Sequence, residues 1–441
     1  MAKQSRRNFL KLTSSGALGI GLLACSAPMA TPPDAEPMMG MAMGGEPVVE
    51  PPRASTIAAP SAPSAPAPSS NGPRLLIVVQ LSGGDDGLNA VVPYGDGLYY
   101  QLRPQLAIQG DQVLPLNDRV GLHPSLKSFK ALWDQDKLAV IQGVGYPDPS
   151  RSHFRSMDIW HTGRLENNVD NGWLGNFMAQ AQRADQGPFQ CVALGNSVPR
   201  ALQHEHISPA ALQDTATFTF QTDRRLPGMR DSLIQAFSDL QASANRAFPT
   251  AQLVANNWLA TAQGVDQLRA VGESYRPFGQ YGNSPFGRAL QQTAVLAAAE
   301  LGTRVLYVSI GGFDTHANQR NTHAGLLTQL SDGLAALQKD LEHSGQADRT
   351  LILAFSEFGR RVRENGSGGT DHGAAGPMFI IGNRARGGLY GEYPDLTNLD
   401  EGDLKHSTDF RQVYATVIED WLGASAHSVL GGSFDRLGFV A

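Results

Sequence analysis

The most constraining feature of the chain is the apolar stretch Arg74-Leu75-Leu76-Ile77-Val78-Val79-Gln80-Leu81, which runs directly into Ser82-Gly83-Gly84-Asp85-Asp86-Gly87. A strand-length run that is apolar on both sides of its pleat must be covered on both faces. That is the situation of a central strand in a parallel sheet. Similar short runs recur at 138–142, 304–310, 350–355 and 378–381. Ala/Leu/Gln-rich stretches of helical pattern, such as 287–301 and 324–343, separate them. Alternation of this kind predicts an α/β fold with three αβα layers and a doubly wound, mostly parallel sheet. One segment, 227–285, breaks the rhythm, being polar with few strand signals. It reads as a helical insertion packed beside the sheet, with the active-site edge as the place it could cover. No internal repeat is evident.

The segment before the first strand has a different character. Ser5-Arg6-Arg7-Asn8-Phe9-Leu10-Lys11 carries a twin arginine followed by apolar residues, and a weakly hydrophobic stretch follows. Residues 1–24 therefore read as a twin-arginine (Tat) export signal, with Arg6 and Arg7 as its defining pair. The stretch ends Leu22-Leu23-Ala24-Cys25-Ser26, which has the form of a lipobox, with Cys25 as the lipidation site. An ordinary soluble exported product is the plainer reading. Residues 25–73 are rich in Pro, Ala, Ser and Met, without hydrophobic periodicity, and read as a disordered tether. Its Met38-Met39-Gly40-Met41-Ala42-Met43 could hold copper(I) through thioethers, but a plain spacer is the default. Residues 74–441 are expected to form one large domain. With Cys25 modified, Cys191 is left without an intramolecular partner and reads as a buried small apolar residue. Loss of residues 1–24 removes Lys3, Arg6, Arg7 and Lys11 and no acid, which takes the formal net charge from -6 to about -10. This acidity, with no basic block in the body, argues against a nucleic-acid partner. No run of 18 or more apolar residues occurs.

In open α/β sheets, ligands gather at the carboxyl ends of strands. Here polar clusters recur at strand ends: Gly83-Gly84-Asp85-Asp86-Gly87-Leu88-Asn89, Gly311-Gly312-Phe313-Asp314-Thr315-His316 and Ser356-Glu357-Phe358-Gly359-Arg360. A further cluster, Gly369-Thr370-Asp371-His372-Gly373, precedes the last run. Carboxylates and imidazoles brought together this way suit a divalent metal ion: zinc, manganese, magnesium or calcium. Each cluster has a plain structural reading as well: a turn at Asp85-Asp86, a helix cap at Asp314 and His316, an internal ion pair between Glu357 and Arg360. It is their coincidence at one sheet edge that favours a metal site. The second run leads through Ser150-Arg151-Ser152-His153-Phe154, where a helix is expected to start. A hydroxyl there, Ser150 or Ser152, can attack an anionic ester or simply cap the helix. The Gly-x-Ser-x-Gly elbow, the Walker A loop, a dinucleotide-binding Gly-x-Gly-x-x-Gly and the His-Glu-x-x-His motif are all missing from the body.

Taken together, the Tat signal, Gly-Gly-x-Asp-Gly-Leu-Asn, Ser-x-Ser-His-Phe, Gly-Gly-Phe-Asp-Thr-His, Ser-Glu-Phe-Gly-Arg, Thr-Asp-His-Gly and the closing Ser407-Thr408-Asp409-Phe410-Arg411-Gln412-Val413-Tyr414 resemble the bacterial family called domain of unknown function 1501. The resemblance covers roughly residues 74 to 440. That family is similar to the alkaline phosphatase and sulfatase superfamily, which implies an alkaline phosphatase-like fold, two metal positions and a nucleophile at a helix start. By resemblance, Asp86 takes the place of the aspartate after the first strand, with Asp85 its neighbour. Asp314 and His316 match the Asp/His pair of one metal, Glu357 the acidic member of a later pair, and His372 the late histidine, with Asp371 beside it. Phe358 stands where the superfamily has a further metal-binding residue, and Pro147 replaces the cysteine of the sulfatase signature. The resemblance therefore implies serine chemistry, at Ser152 rather than Ser150, with His153 or Arg151 steadying the anion.

The function so implied is an exported metal-dependent hydrolase of phosphate or sulfate esters, small-molecule or polysaccharide. The Tat translocase would be its partner during export, and a lipid anchor at Cys25 would hold it in the periplasm or at the cell surface, on the outer membrane. The alternative is a non-catalytic envelope lipoprotein that uses the fold for binding or assembly.

Overall fold

The computed structural model describes residues 72–181, 189–215, 228–243 and 249–441. The stretch read as export signal, Cys25 and the tether up to residue 71 lies outside the described residues. Nine strands make the main sheet: β1 (Leu75–Ser82), β2 (Leu138–Gly145), β3 (Cys191–Leu194), β4 (Ala210–Leu212), β5 (Val305–Gly311), β6 (Thr350–Ser356), β7 (Gly376–Ile381), β8 (Gly388–Tyr390) and β9 (Thr408–Asp409). Their order across the sheet is β8-β2-β7-β6-β1-β5-β3-β4, with β9 also paired to β2. Every pairing is parallel except those of β7, which runs antiparallel to both β2 and β6.

The run at 75–82 is central, between β5 and β6, and its side chains alternate between two cores. Leu75, Ile77, Val79 and Leu81 face a layer containing Phe129 of α1 (Lys127–Trp133), Leu290 of α6 (Pro285–Ala298), and Leu327, Leu330, Leu334 and Leu337 of α7 (Gln319–His343). Leu76 and Val78 face the opposite layer. There lie Ile159 and Trp160 of α2 (His153–Thr162), Trp173, Leu174 and Phe177 of α3 (Trp173–Ala181), and Phe410, Val413 and Tyr414 of α8 (Phe410–Thr416). Double coverage of one strand is what makes three layers, as its unbroken apolar run requires.

Within 227–285, the described residues form α4 (Met229–Ser243) and α5 (Pro249–Ser274). Val265 and Leu268 of α5 join the core on the α6 and α7 side. The helices thus sit beside the sheet, and no described residue of this segment lines the cleft at the carboxyl edge. No helix among the described residues is long and apolar enough to cross a membrane. Cys191 opens β3 and is buried in the second core, where burial pushes its thiol far above the usual range.

The antiparallel strand explains one oddity of the sequence. Because β7 runs against its neighbours, its beginning lies at the edge where β1, β2, β5 and β6 end. A loop that precedes a strand can then share an edge with loops that follow strands.

Candidate functional site

Four connections meet at that edge. The turn after β1 is compressed against the one after β5: Gly83 has φ +122°, and a Cβ there would come within 2.4 Å of the Asp314 backbone nitrogen. Gly84, at φ +79°, leaves no room for a Cβ because the Phe358 ring lies within 2.4 Å of its place. Only glycine meets both demands.

The helix α2 starts on the same edge. Its first residue, His153, places Nδ1 2.9 Å from Glu357 Oε1 and Nε2 3.5 Å from Asp314 Oδ2. His372 Nε2 lies 3.1 Å from Asp314 Oδ1, and His372 Nδ1 is 2.7 Å from the Arg151 carbonyl. His153, Asp314 and His372 each present one ligand atom, and these atoms all lie within 4.8 Å of one another. A divalent cation coordinated at about 2.0–2.6 Å fits such a trio. His316 adjoins it, with Nε2 3.1 Å from Asp314 Oδ1 and 3.0 Å from His372 Nε2, while its Nδ1 is 3.0 Å from Asp371 Oδ1.

Glu357 and Asp371 stand one step back. Glu357 is buried, accepts the Gly83 backbone N–H at 2.8 Å and faces His153 Nδ1. Asp371 is held by Asn365 Nδ2 at 3.1 Å and by His316; these two hydrogen bonds, in that order, lower its carboxyl from the ordinary range. Carboxylates placed behind imidazoles fix their tautomer and orientation at metal sites. The resemblance made Glu357 a ligand and His153 an anion-binding group. In the structure His153 is one of the three residues whose ligand atoms converge, and Glu357 faces its Nδ1.

Asp314 owes its charge state to its neighbours. Burial opposes its ionisation, but the Arg360 and His372 hydrogen bonds and the Arg360 and His316 charges outweigh it and hold the carboxyl at about 2. Arg360 is fully buried and donates to the carbonyls of Gly83, Gly84, Phe313 and Thr370 as well. Its ionic partner is Asp314, not Glu357 as its place in the sequence suggested. Nor do Asp314 and His316 cap α7, whose N-cap is Asn318.

Asp85 and Asp86 are absent from the trio. Asp86 Oδ2 is 2.6 Å from Arg103 Nη1, both side chains being fully enclosed, and it also accepts from Gln319 Nε2. Burial works against its charge, yet Arg103, His323 and Gln319 together hold its carboxyl below the ordinary value. Arg103 is itself fixed by Asn89 Oδ1 at 2.8 Å and by the Val362 carbonyl at 2.8 Å. Asp85 Oδ1 pairs with His323 Nε2 at 2.8 Å, again in the interior. The residues thus suit one cation position and not a second one at Asp86, where a guanidinium already supplies the positive charge. Arg103, Gln319 and His323 escaped the sequence reading because they lie inside helices or loops with no motif around them. His323, four residues after Gln319 on one helix face, was the legible signal.

The hydroxyls at the start of α2 differ. Ser152 is exposed and occupies the N-cap position, but its side chain makes no capping bond. Ser150 Oγ is 3.3 Å from the Ser152 backbone N–H. Arg151 does not face the trio with its guanidinium, which pairs with Asp403 at 2.7 Å and Glu401 at 3.4 Å. Phe358 is buried, its ring centroid 5.0 Å from that of His153 and 4.7 Å from that of His372, so it supports the imidazoles from below.

Solved structures similar to this chain include a sulfatase, PsFucS1 from Pseudoalteromonas sp., at 12% identity and a TM-score of 0.37, covering 84% of this chain and 72% of that one. The C-terminal periplasmic domain of EcEptC from Escherichia coli is 12% identical with a TM-score of 0.35, covering 83% and 89%. Phosphonate monoester hydrolase SpPMH from Silicibacter pomeroyi is 13% identical with a TM-score of 0.30, covering 82% and 78%. No curated protein matches the chain. A family model described as protein of unknown function (DUF1501) matches residues 73–420, and the chain belongs to that family.

Proposed function

We propose that the protein is a metal-dependent hydrolase of phosphate or sulfate esters. The observation that carries this reading is the convergence of His153, Asp314 and His372 at the carboxyl edge of a parallel sheet, with carboxylates behind the imidazoles. A divalent cation held there would polarise an ester oxygen and offset the charge that builds in the transition state. His153 Nδ1 is tied to Glu357, which leaves Nε2 to face Asp314 and the cation. Ser152, one residue before His153 and free of any capping duty, is the nucleophile: its oxygen forms a bond to phosphorus or sulfur as the alcohol leaves, and water then releases the anion. Arg151 takes no part through its guanidinium. Export by the Tat route under the direction of Arg6 and Arg7, and anchoring to the outer membrane through a lipidated Cys25, complete the proposal. Folding before export would let the domain take up its metal first.

The test is to purify the full chain, measure bound metal, and assay aryl phosphates and aryl sulfates before and after chelation and metal return. Turnover that chelation abolishes and one metal restores is expected. If His153→Ala, Asp314→Ala and His372→Ala all keep full metal content and turnover, the reading fails. A protein that binds metal yet turns over no ester under any metal would instead favour the non-catalytic role.

A further inference from the structure

We infer that the site acts on esters whose alcohol part is a flat ring with an apolar face, and that Phe154 is the residue that grips this ring. This deepens the hydrolase reading and rests on it. Phe154 follows His153 on α2 and is 88% exposed. Phe278 is the other large apolar side chain exposed among the described residues, but its ring is stacked on His343 at 4.7 Å with an interplanar angle of 5°. Phe154 has no ring partner of that kind. A phenyl ring so exposed beside polar groups offers apolar surface that a ligand can cover.

Next to it lies an open cleft of about 480 Å³, whose lining includes His153 and Asp314 of the trio, Phe154, Met157, and the backbone of Gly311 and Gly312. Phe154 and Met157 are three residues apart and so share one side of the helix. The floor comes from the paired ends of β1 and β5, where Gln80 is in register with Ser309 and Ser82 with Gly311. These positions continue the sheet face that α2 and α3 cover further back, through Leu76, Val78, Val305 and Tyr307. The cover ends before the last rungs, and Ser309 and Gly311 are exposed. A Cβ on Gly311 would meet nothing within 4 Å. The floor is low because Ser82, Ser309 and Gly311 are small and the Gln80 side chain is held down by Tyr307 and His161. A flat floor, an upright phenyl wall and a metal-binding trio in one cleft fit an anionic ester on a ring: an aryl group or a pyranose, whose C–H face stacks on aromatic rings in the same way.

The experiment uses the full, zinc-loaded chain and calorimetric binding of methylphosphonate, phenylphosphonate and glucose 6-phosphate. Both ring-bearing anions are expected to bind about tenfold tighter than methylphosphonate, an advantage of about 1.4 kcal/mol. Phe154→Ala should erase that advantage and leave methylphosphonate binding unchanged. Gly311→Leu, whose Cβ would meet nothing within 4 Å, should weaken the ring-bearing anions alone. The relative affinity of phenylphosphonate and glucose 6-phosphate then separates aryl from sugar substrates. Equal binding of all three anions, or an advantage that survives Phe154→Ala, overturns the inference and leaves the hydrolase reading intact. Failure of even methylphosphonate to bind the metal-loaded chain overturns both.

Discussion

Arg360 Nη2 lies 2.7 Å from Asp314 Oδ1, although the guanidinium is fully enclosed and the carboxylate is half open to solvent. One side chain thereby ties the turns after β1 and β5 and the loop before β7 to Asp314, one of the three residues that could hold a cation. A surface ion pair would contribute little, but this arginine also satisfies four backbone carbonyls that have few other donors.

Arg360→Met should therefore damage both fold and site. Leaving those carbonyls and Asp314 without their donor is expected to cost about 3–5 kcal/mol. A fall in the midpoint of thermal or urea unfolding checks it; a midpoint unchanged within error would show that the carbonyls find other donors.

Asp86 and Arg103 give a second, separable test. Asp86→Asn leaves a buried guanidinium unpaired and should lower stability at pH 7 by about 3–5 kcal/mol. The wild-type carboxyl is depressed in the folded state, so its contribution is complete above the ordinary value of 3.8 and is lost as pH falls through the lower folded value. Unfolding curves of the two proteins should thus begin to draw together only as pH falls below about 4 and meet below the folded value. Metal stoichiometry should stay at one ion per chain in both.

Acid should weaken the fold well before that range. Burial holds His123 and His161 at about 4. Both stay neutral in the fold while the unfolded chain takes up protons below 6.5. Their contribution is complete above 6.5 and is lost as pH falls towards 4, by about 2 kcal/mol per histidine at pH 5. His161 sits between Gln80 Oε1 and the Tyr307 hydroxyl, at 3.2 and 3.1 Å, and His161→Gln should flatten this slope in denaturant titrations run from pH 7.5 to 5.

Ser152→Ala should separate chemistry from helix capping. A true cap loses about 1 kcal/mol on removal. Because the hydroxyl makes no capping bond, stability should change by less than about 0.5 kcal/mol, while ester turnover should fall at least about a thousandfold. Ser150→Ala should keep turnover within about threefold. The opposite ranking of the two serines would move the nucleophile to Ser150.

Asp371→Asn offers a milder lesion behind His316. With the carboxylate gone, the imidazole keeps its place but loses the partner that fixes it. Because His316 adjoins the trio and is not one of its members, metal affinity is expected to drop by less than the roughly 10- to 100-fold of a carboxylate behind a ligating histidine, read by competition with a chromogenic chelator.

Much of this was legible in the chain itself. The long apolar runs became β1, β2, β5, β6 and β7, because a strand buried on both faces leaves an unbroken signature. The short strands β3, β4, β8 and β9 were not legible, since two to four residues carry no measurable period. Asp314, His316, Asp371 and His372 stood out through their motifs and do meet at one edge. His153 comes to Asp314 and His372 while Glu357 lies against its Nδ1, an arrangement not legible beforehand, because sequence gives the neighbourhood of a side chain but not the direction in which it points. Asp85 and Asp86 looked like ligands for the same reason. Only packing shows that Arg103 and His323 had already claimed them.

The reversed strand β7 also sets how far apart along the chain the residues of this edge lie. Glu357 and His372 hang from the single excursion between β6 and β7, and Asp314 is 58 residues from His372. His153 is 204 residues from Glu357, so seating it at this edge costs more chain entropy than bringing Asp314 to His372. A chain caught part-way through folding would hold two of its three ligands and lack the third. A cation bound by the trio would therefore join segments far apart in the chain, and its binding would add to the stability of the folded state.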